Sequence, residues 1–284
     1  MADSSHQLRR RVRLPFLVFY GVGTMIGGGF YALSGEVAGR VGLHAPLAFA
    51  LAGLLALLSA LSFAELSGRL PHSGGSARYV EEAFGRPRLA ALVGWLVIGT
   101  GVVSAATLAV ATSGFLRDLA PLPSVPTTLL LVLTMGLVAA WGIAEAVAVV
   151  VVITLLQIAS LLYIVLSMGG VLGSLPAQAS AILVPADLDV VAGLLGAAFL
   201  AFFAFIGFED MVTVAEEVQD VRRALPAAVI TSLLVTTALY VSVASVATVA
   251  VLAVPPAELA AADTPLARVV AEQGDRSRSP SSCS

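Results

Sequence analysis

The stretch Gly21–Gly29, GVGTMIGGG, lies inside an apolar run that opens at Pro15 and closes near Gly39, and five of its nine residues are glycine. Glycine in a helix interior costs about 0.5–1 kcal/mol relative to alanine. In a bilayer every backbone N–H and C=O needs a partner, so helix is the default. A break is tolerated only where protein or a water-filled cavity covers it. One reading of the glycines is therefore a broken helix. Its loosened turn frees backbone groups, and the second half-helix points its positive N-terminal end at the gap. Such a gap suits a carboxylate without any charged side chain. The other reading is packing, because Gly23 and Gly27 stand at the small-xxx-small spacing of close helix contacts. A nucleotide loop is poorly supported: the spacing is not GxGxxG, no Lys-Ser/Thr follows and no strand precedes.

Composition fixes the class. The 284 residues are 58% hydrophobic and only 12% charged, where a soluble domain carries about 25% charge. The chain reads as an all-α, polytopic membrane protein, with length for several spans of about 20 residues. A net charge of -3 offers no basic surface for nucleic acid. All 15 basic residues are arginine, which excludes a Schiff-base or P-loop lysine. The single cysteine, Cys283, and the scattered His6, His44 and His72 form no metal-ligand pattern. No cofactor is expected. No cleavable signal peptide is evident, since the first apolar run is too long and too glycine-rich.

Taken in order, residues 1–14 form a polar tail with a basic edge at Arg9, Arg10, Arg11 and Arg13. Residues 15–252 form a transmembrane domain, and 253–284 a polar tail whose DRSRSPSSCS end reads as disordered. Seven spans are expected, at about 15–39, 46–68, 89–116, 126–143, 146–168, 190–216 and 225–251. Between the second and third, Tyr79, Val80, Ala83 and Phe84 recur at helical spacing among charges, which predicts a short amphipathic helix over 76–88 at the membrane surface. Arginines cluster on one side, at the N-terminus, Arg69, Arg78, Arg86, Arg88, Arg222 and Arg223, so the N-terminus is expected to be cytoplasmic.

Glu209 and Asp210 fall inside the sixth apolar run, beside Gly207 and the aromatic FFAF cluster. An intramembrane acid costs roughly 2.5–3.5 kcal/mol on insertion scales and reads by default as a pathway residue facing a cavity. The competing reading is a carboxylate at a helix end. For Glu209 a functional role is favoured. Interrupted helices in first and sixth position are the corresponding members of an inverted five-helix repeat with substrate at the gaps.

Three motifs in order, GVGTMIGGGFYALSG, AELSGRLPHSGGSARYVEEAFG and FFAFIGFEDMVTVAEEVQDVRRALP, resemble the amino acid–polyamine–organocation transporter superfamily. The nearest likeness is to bacterial amino acid permeases of the cationic-amino-acid-transporter type, over about residues 10–270. The resemblance implies a twelve-helix, five-plus-five inverted-repeat bundle that transports amino acids or related amines by alternating access in the cell membrane. Carried over by position, the substrate carboxylate meets backbone N–H groups near Gly27, Gly28 and Gly29. The amine meets carbonyls near Val22, Gly23 and Met25 and near Phe203 and Ile206. Phe203 looks like an aromatic gate, and Glu209 matches an acidic position linked to proton-dependent gating. Where some proton-coupled relatives carry a lysine in helix 5, this chain has the uncharged Gln157.

The family pattern continues past helix 7, so the chain is expected to be a truncated or frameshifted product, or a fragment. The alternative function is thus a non-transporting membrane protein, or one that needs a partner to complete the bundle. An enzyme is not expected, because no nucleophile, base or metal ligands converge. The expected partners are a small amino acid or amine, protons and the lipid bilayer.

Overall fold

A computed structural model describes residues 12–141, 143–167, 182–183 and 187–251. The chain folds as helices: α1 (Leu14–Val41), α2 (Ala45–Arg69), α3 (Gly75–Phe84), α4 (Pro87–Leu119), α5 (Ser124–Trp141), α6 (Ile143–Ser167), α7 (Leu188–Phe202) and α8 (Val221–Val251). Among the described residues six helical stretches are long and apolar enough to cross a membrane: Leu14–Tyr31, Leu33–Arg69, Pro87–Arg117, Val149–Leu166, Leu188–Glu217 and Val221–Thr248. The expected fourth span is apolar but shorter, Ser124–Ala140. The polar tails expected at 1–14 and 253–284 lie almost wholly outside the described residues.

The reason for the helix order is visible in α2. Ala48, Ala52, Ala56, Ala60 and Ala64 recur every fourth residue and are buried. This stripe of small side chains lets another helix approach closely, where lipid supplies no hydrophobic drive for association. That partner is α8: a Cβ on Gly53 would run into Thr237. The opposite face of α2, with Leu54, Leu55, Leu58 and Leu61, is exposed. In water such a face would aggregate; in lipid it is the ordinary outer surface. α8 also packs on α1, α7 packs on α2 and α1, and α4 lies with α3 and α5.

A helix forms in the expected amphipathic stretch, at Gly75–Phe84, starting one residue before the expected 76 and ending four before the expected 88. Gly74 and Gly75 take φ of 123° and 51°, the left-handed values that turn the chain sharply out of α2. Tyr79 of α3 is buried, and burial pushes its phenol up to about 12, so it stays neutral. Phe63 of α2 packs edge-on against both Tyr79 and Phe208.

Two differences from the sequence expectation concern the sixth and seventh spans. The sixth is α-helical only to Phe202; beyond it come a 3-10 turn, Phe203–Phe205, and a 3-10 stretch, Phe208–Glu217. α8 begins at Val221, one turn before the expected 225, and carries Pro226 inside it. The start of α1 and the end of the 3-10 stretch are tied by backbone. Val12 N–H donates to the Glu217 carbonyl at 3.0 Å, and Gln219 N–H donates to the Val12 carbonyl at 2.9 Å. The first residues of span one and the last of span six therefore share one end of the bundle.

Candidate functional site

α1 runs helically through Thr24 and Met25 and loses helical geometry at Gly27, where φ is 20° and ψ is -161°. Few L-residues reach that conformation, so the choice of glycine is a backbone requirement. A Cβ built on Gly27 would touch nothing within 4 Å. The position is open space, as a gap facing a cavity should be.

The other glycines of the motif divide between the two readings. A Cβ on Gly23 would collide with Thr154 of α6, and one on Gly21 would collide with Met211 and Ser232. Those two positions are glycine because neighbouring elements come close. Gly29 lies between these cases, its virtual Cβ 3.7 Å from the Ala204 Cα. One motif thus carries packing at its start and the break further on.

The second break follows Phe205. Ile206 is extended, with φ -60° and ψ 134°. Gly207 then takes φ 127° and ψ -15° before the 3-10 stretch resumes. A Cβ on Gly207 would lie 2.8 Å from the Thr24 carbonyl oxygen and 2.9 Å from its carbon. Glycine is required here twice, by torsion and by the backbone of α1 pressing against it. Thr24 reinforces the contact: its hydroxyl lies 3.0 Å from the Gly21 carbonyl and 3.1 Å from the Gly207 carbonyl, so it bridges the two broken helices.

Glu209 closes the turn it follows. Its carboxylate Oε2 accepts the Gly207 N–H at 2.9 Å. The residue is partly buried, and its neighbour Asp210 is exposed. The amide loosened by the break is thereby satisfied by a side chain two residues on, as an N-terminal cap satisfies a helix start.

Both breaks open onto one cavity of about 930 Å³. Met25, Gly27 and Gly29 line it from α1, and Phe203, Ile206 and Glu209 from the sixth span. Its remaining wall comes from α2, the Gly74–Ala77 turn and α4. Val22 is 1% exposed within the core, and neither it nor Gly23 lines the cavity. Gly28 follows the torsional break directly in the chain. Gln157 carries one further tie, accepting the Tyr31 hydroxyl on its backbone carbonyl at 3.4 Å. Among the described residues no group of three or more His, Cys, Asp or Glu could hold a metal ion.

The Gly74–Ala77 turn that lines the cavity is held in place just ahead of it. Ser73 N–H donates to Glu216 Oε1 at 3.2 Å, and Glu216 N–H donates to the Ser73 hydroxyl at 3.3 Å. These reciprocal bonds hold the turn after α2 on the 3-10 stretch.

Two residues at the site escaped the sequence reading. Thr24 sits in the middle of the glycine motif, and its hydroxyl was the available signal: in lipid a hydroxyl must find an acceptor. The other is Tyr240 of α8, a lone phenol in an apolar run. Its hydroxyl lies 2.9 Å from the Met25 carbonyl and 3.0 Å from the Ala204 carbonyl.

The model of a family described as amino acid permease matches residues 17–272. An uncharacterized transporter of Mycobacterium tuberculosis (strain ATCC 25618 / H37Rv) is 35% identical, over 96% of this chain and 59% of the relative. A vacuolar cationic amino acid transporter 4 of Arabidopsis thaliana is 29% identical, over 96% of this chain and 48% of the relative. A branched-chain amino acid permease of Bacillus subtilis (strain 168) is 28% identical, over 94% of this chain and 60% of the relative. The chain thus spans about half to three-fifths of the length of these relatives.

Proposed function

The chain belongs to the amino acid permease family, and from that premise we propose that it carries the substrate site of a secondary transporter for amino acids or related amines. The observation that supports this most is the pairing of two backbone breaks, at Gly27 and Gly207, on one cavity. An amino acid has an anionic and a cationic end. The half of α1 that begins after Gly27 offers its N-terminal amides and dipole to the carboxylate, at Gly27, Gly28 and Gly29. Carbonyls at the breaks, near Met25, Phe203 and Ile206 on the cavity wall, receive the amine. Neither interaction needs a charged side chain, which fits the scarcity of charge on the cavity wall.

Backbone contacts recognise the part common to all amino acids and leave the side chain to the rest of the cavity. The relatives' names are consistent with this division, since they include a cationic and a branched-chain specificity. Phe203, 41% exposed at the cavity, is placed to cover a bound side chain. Transport by alternating access would move the helices carrying one break against the rest around this point. Glu209 is the proposed proton-coupling or gating group, acting where its carboxylate meets the Gly207 amide. The proposed setting is the cell membrane with the N-terminus cytoplasmic. The proposal concerns the site, whether these helices act alone or with further ones.

Binding of a labelled amino-acid mixture to the purified chain tests this. Competition should require both ends: free amino acids compete, while their N-acetyl and amide derivatives do not. Equal competition by the blocked derivatives would refute backbone recognition.

A further inference from the structure

Tyr240 lies on α8 and is fully buried. A buried phenol needs a partner for its hydroxyl. This one has two acceptors on two different helices, the Met25 carbonyl of α1 and the Ala204 carbonyl of the sixth span. In an unbroken helix those carbonyls would accept from the amides four residues on, Gly29 and Phe208. Both amides lie beyond the breaks at Gly27 and Gly207. The phenol thus stands at the last turn of each first half-helix.

The ring is held as firmly as the hydroxyl. It stacks on Phe30 with centroids 4.1 Å apart and planes 9° apart. Phe205 meets it edge-on at 5.0 Å and Phe49 at 5.8 Å. Phe30 belongs to α1 beyond its break, and Phe205 to the sixth span ahead of its own. α8 itself has no break among its described residues. It is a continuous helix against which both discontinuous helices register.

We propose that Tyr240 is a positioning residue of the candidate site, its single hydroxyl setting the separation of the two broken helices across the cavity. The proposal deepens the reading of that cavity as a substrate site and rests on it. A ligand held at one end by α1 and at the other by the sixth span needs that separation fixed before it arrives. Loss of the hydroxyl frees the breaks to drift apart while the aromatic packing stays.

Amide hydrogen exchange on the 284-residue chain in nanodiscs, comparing wild type, Tyr240→Phe and Thr236→Val, tests it. Thr236 is the control, a fully buried hydroxyl one turn away on α8 with no hydrogen-bond partner among the described residues. Tyr240→Phe should speed exchange about fivefold at residues 24–30 and at 203–209 together, the factor one net hydrogen bond carries. Thr236→Val should change neither. A change at one break only, at neither, or equally in both variants overturns the clamp. If Tyr240→Phe does not accumulate, Tyr240→4-aminophenylalanine restores a donor: its accumulation supports the clamp and its failure overturns it.

Amino-acid binding separates this proposal from the functional reading. In a wild type that binds, Tyr240→Phe should raise Kd about fivefold at an unchanged number of sites. Loosened breaks with an unchanged Kd overturn the positioning role. A wild type that binds no amino acid refutes the substrate reading and leaves the exchange result to judge the clamp alone.

Discussion

The two breaks differ in what makes glycine necessary. At Gly27 the chain bends into open space, and only torsion excludes a side chain. At Gly207 torsion and contact both exclude it, because the Thr24 peptide fills the space a Cβ would need. After Gly27 the chain resumes as α-helix; after Gly207 it continues as 3-10 helix to Glu217. The first break is thus a free gap with a helix N-terminus behind it. The second is a packed joint, held by Thr24 from outside and by Glu209 from within. On the proposed reading, the gap recognises a ligand and the joint transmits motion.

Alanine substitutions sharpen this contrast most. Gly27→Ala should lose only the torsional term, about 1–3 kcal/mol. Gly207→Ala should lose that and an overpacking term of about 1–3 kcal/mol more. Thermal unfolding of both variants in detergent measures the difference. Equal losses would remove the distinction between gap and joint. A smaller effect is expected at Thr24→Val, which keeps the shape and removes the bridge to the Gly207 carbonyl. Its cost should be about 1 kcal/mol, read by the same unfolding, with no loss if the bridge is idle.

The smallest stability effect is expected at Glu209→Gln. Glutamine keeps an acceptor for the Gly207 N–H and gives up only the charge assistance, about 0.5–1 kcal/mol. If Glu209 couples protons, this variant should still bind substrate while the pH dependence of transport flattens. A pH profile of unchanged shape would leave Glu209 as the cap its hydrogen bond describes. A large loss of stability at every pH would show that the charge itself holds the joint.

The amino-acid sequence made the first break legible because five glycines in one apolar run demand an explanation. It did not say which glycine breaks. Gly23 and Gly27 satisfy the same spacing, yet one abuts Thr154 and the other abuts nothing. That difference depends on α6, more than a hundred residues away. The second break was legible from the acids beside Gly207, but its 3-10 continuation was not. The stretch 208–217 is bounded by the Thr24 contact at Gly207 and tied by the Ser73–Glu216 bonds, and local propensity does not record such contacts. Tyr240 was hidden by distance along the chain. Its partners, Met25 and Ala204, are 215 and 36 residues away. Only the general rule that a phenol in an apolar run must find an acceptor pointed to it. The alanine stripe of α2 is visible in the sequence, but its partner is set by the approach of α8, where Thr237 leaves no room for a Cβ on Gly53.

The central claim is that gap and joint form one site for one ligand. Amide hydrogen exchange at residues 27–29 and 206–207, followed while a saturating amino-acid mixture is added to the purified chain, tests it most directly. Both segments should gain protection together, at the same ligand concentration and with the same midpoint. Protection of one segment without the other, or at clearly different concentrations, would contradict a shared site.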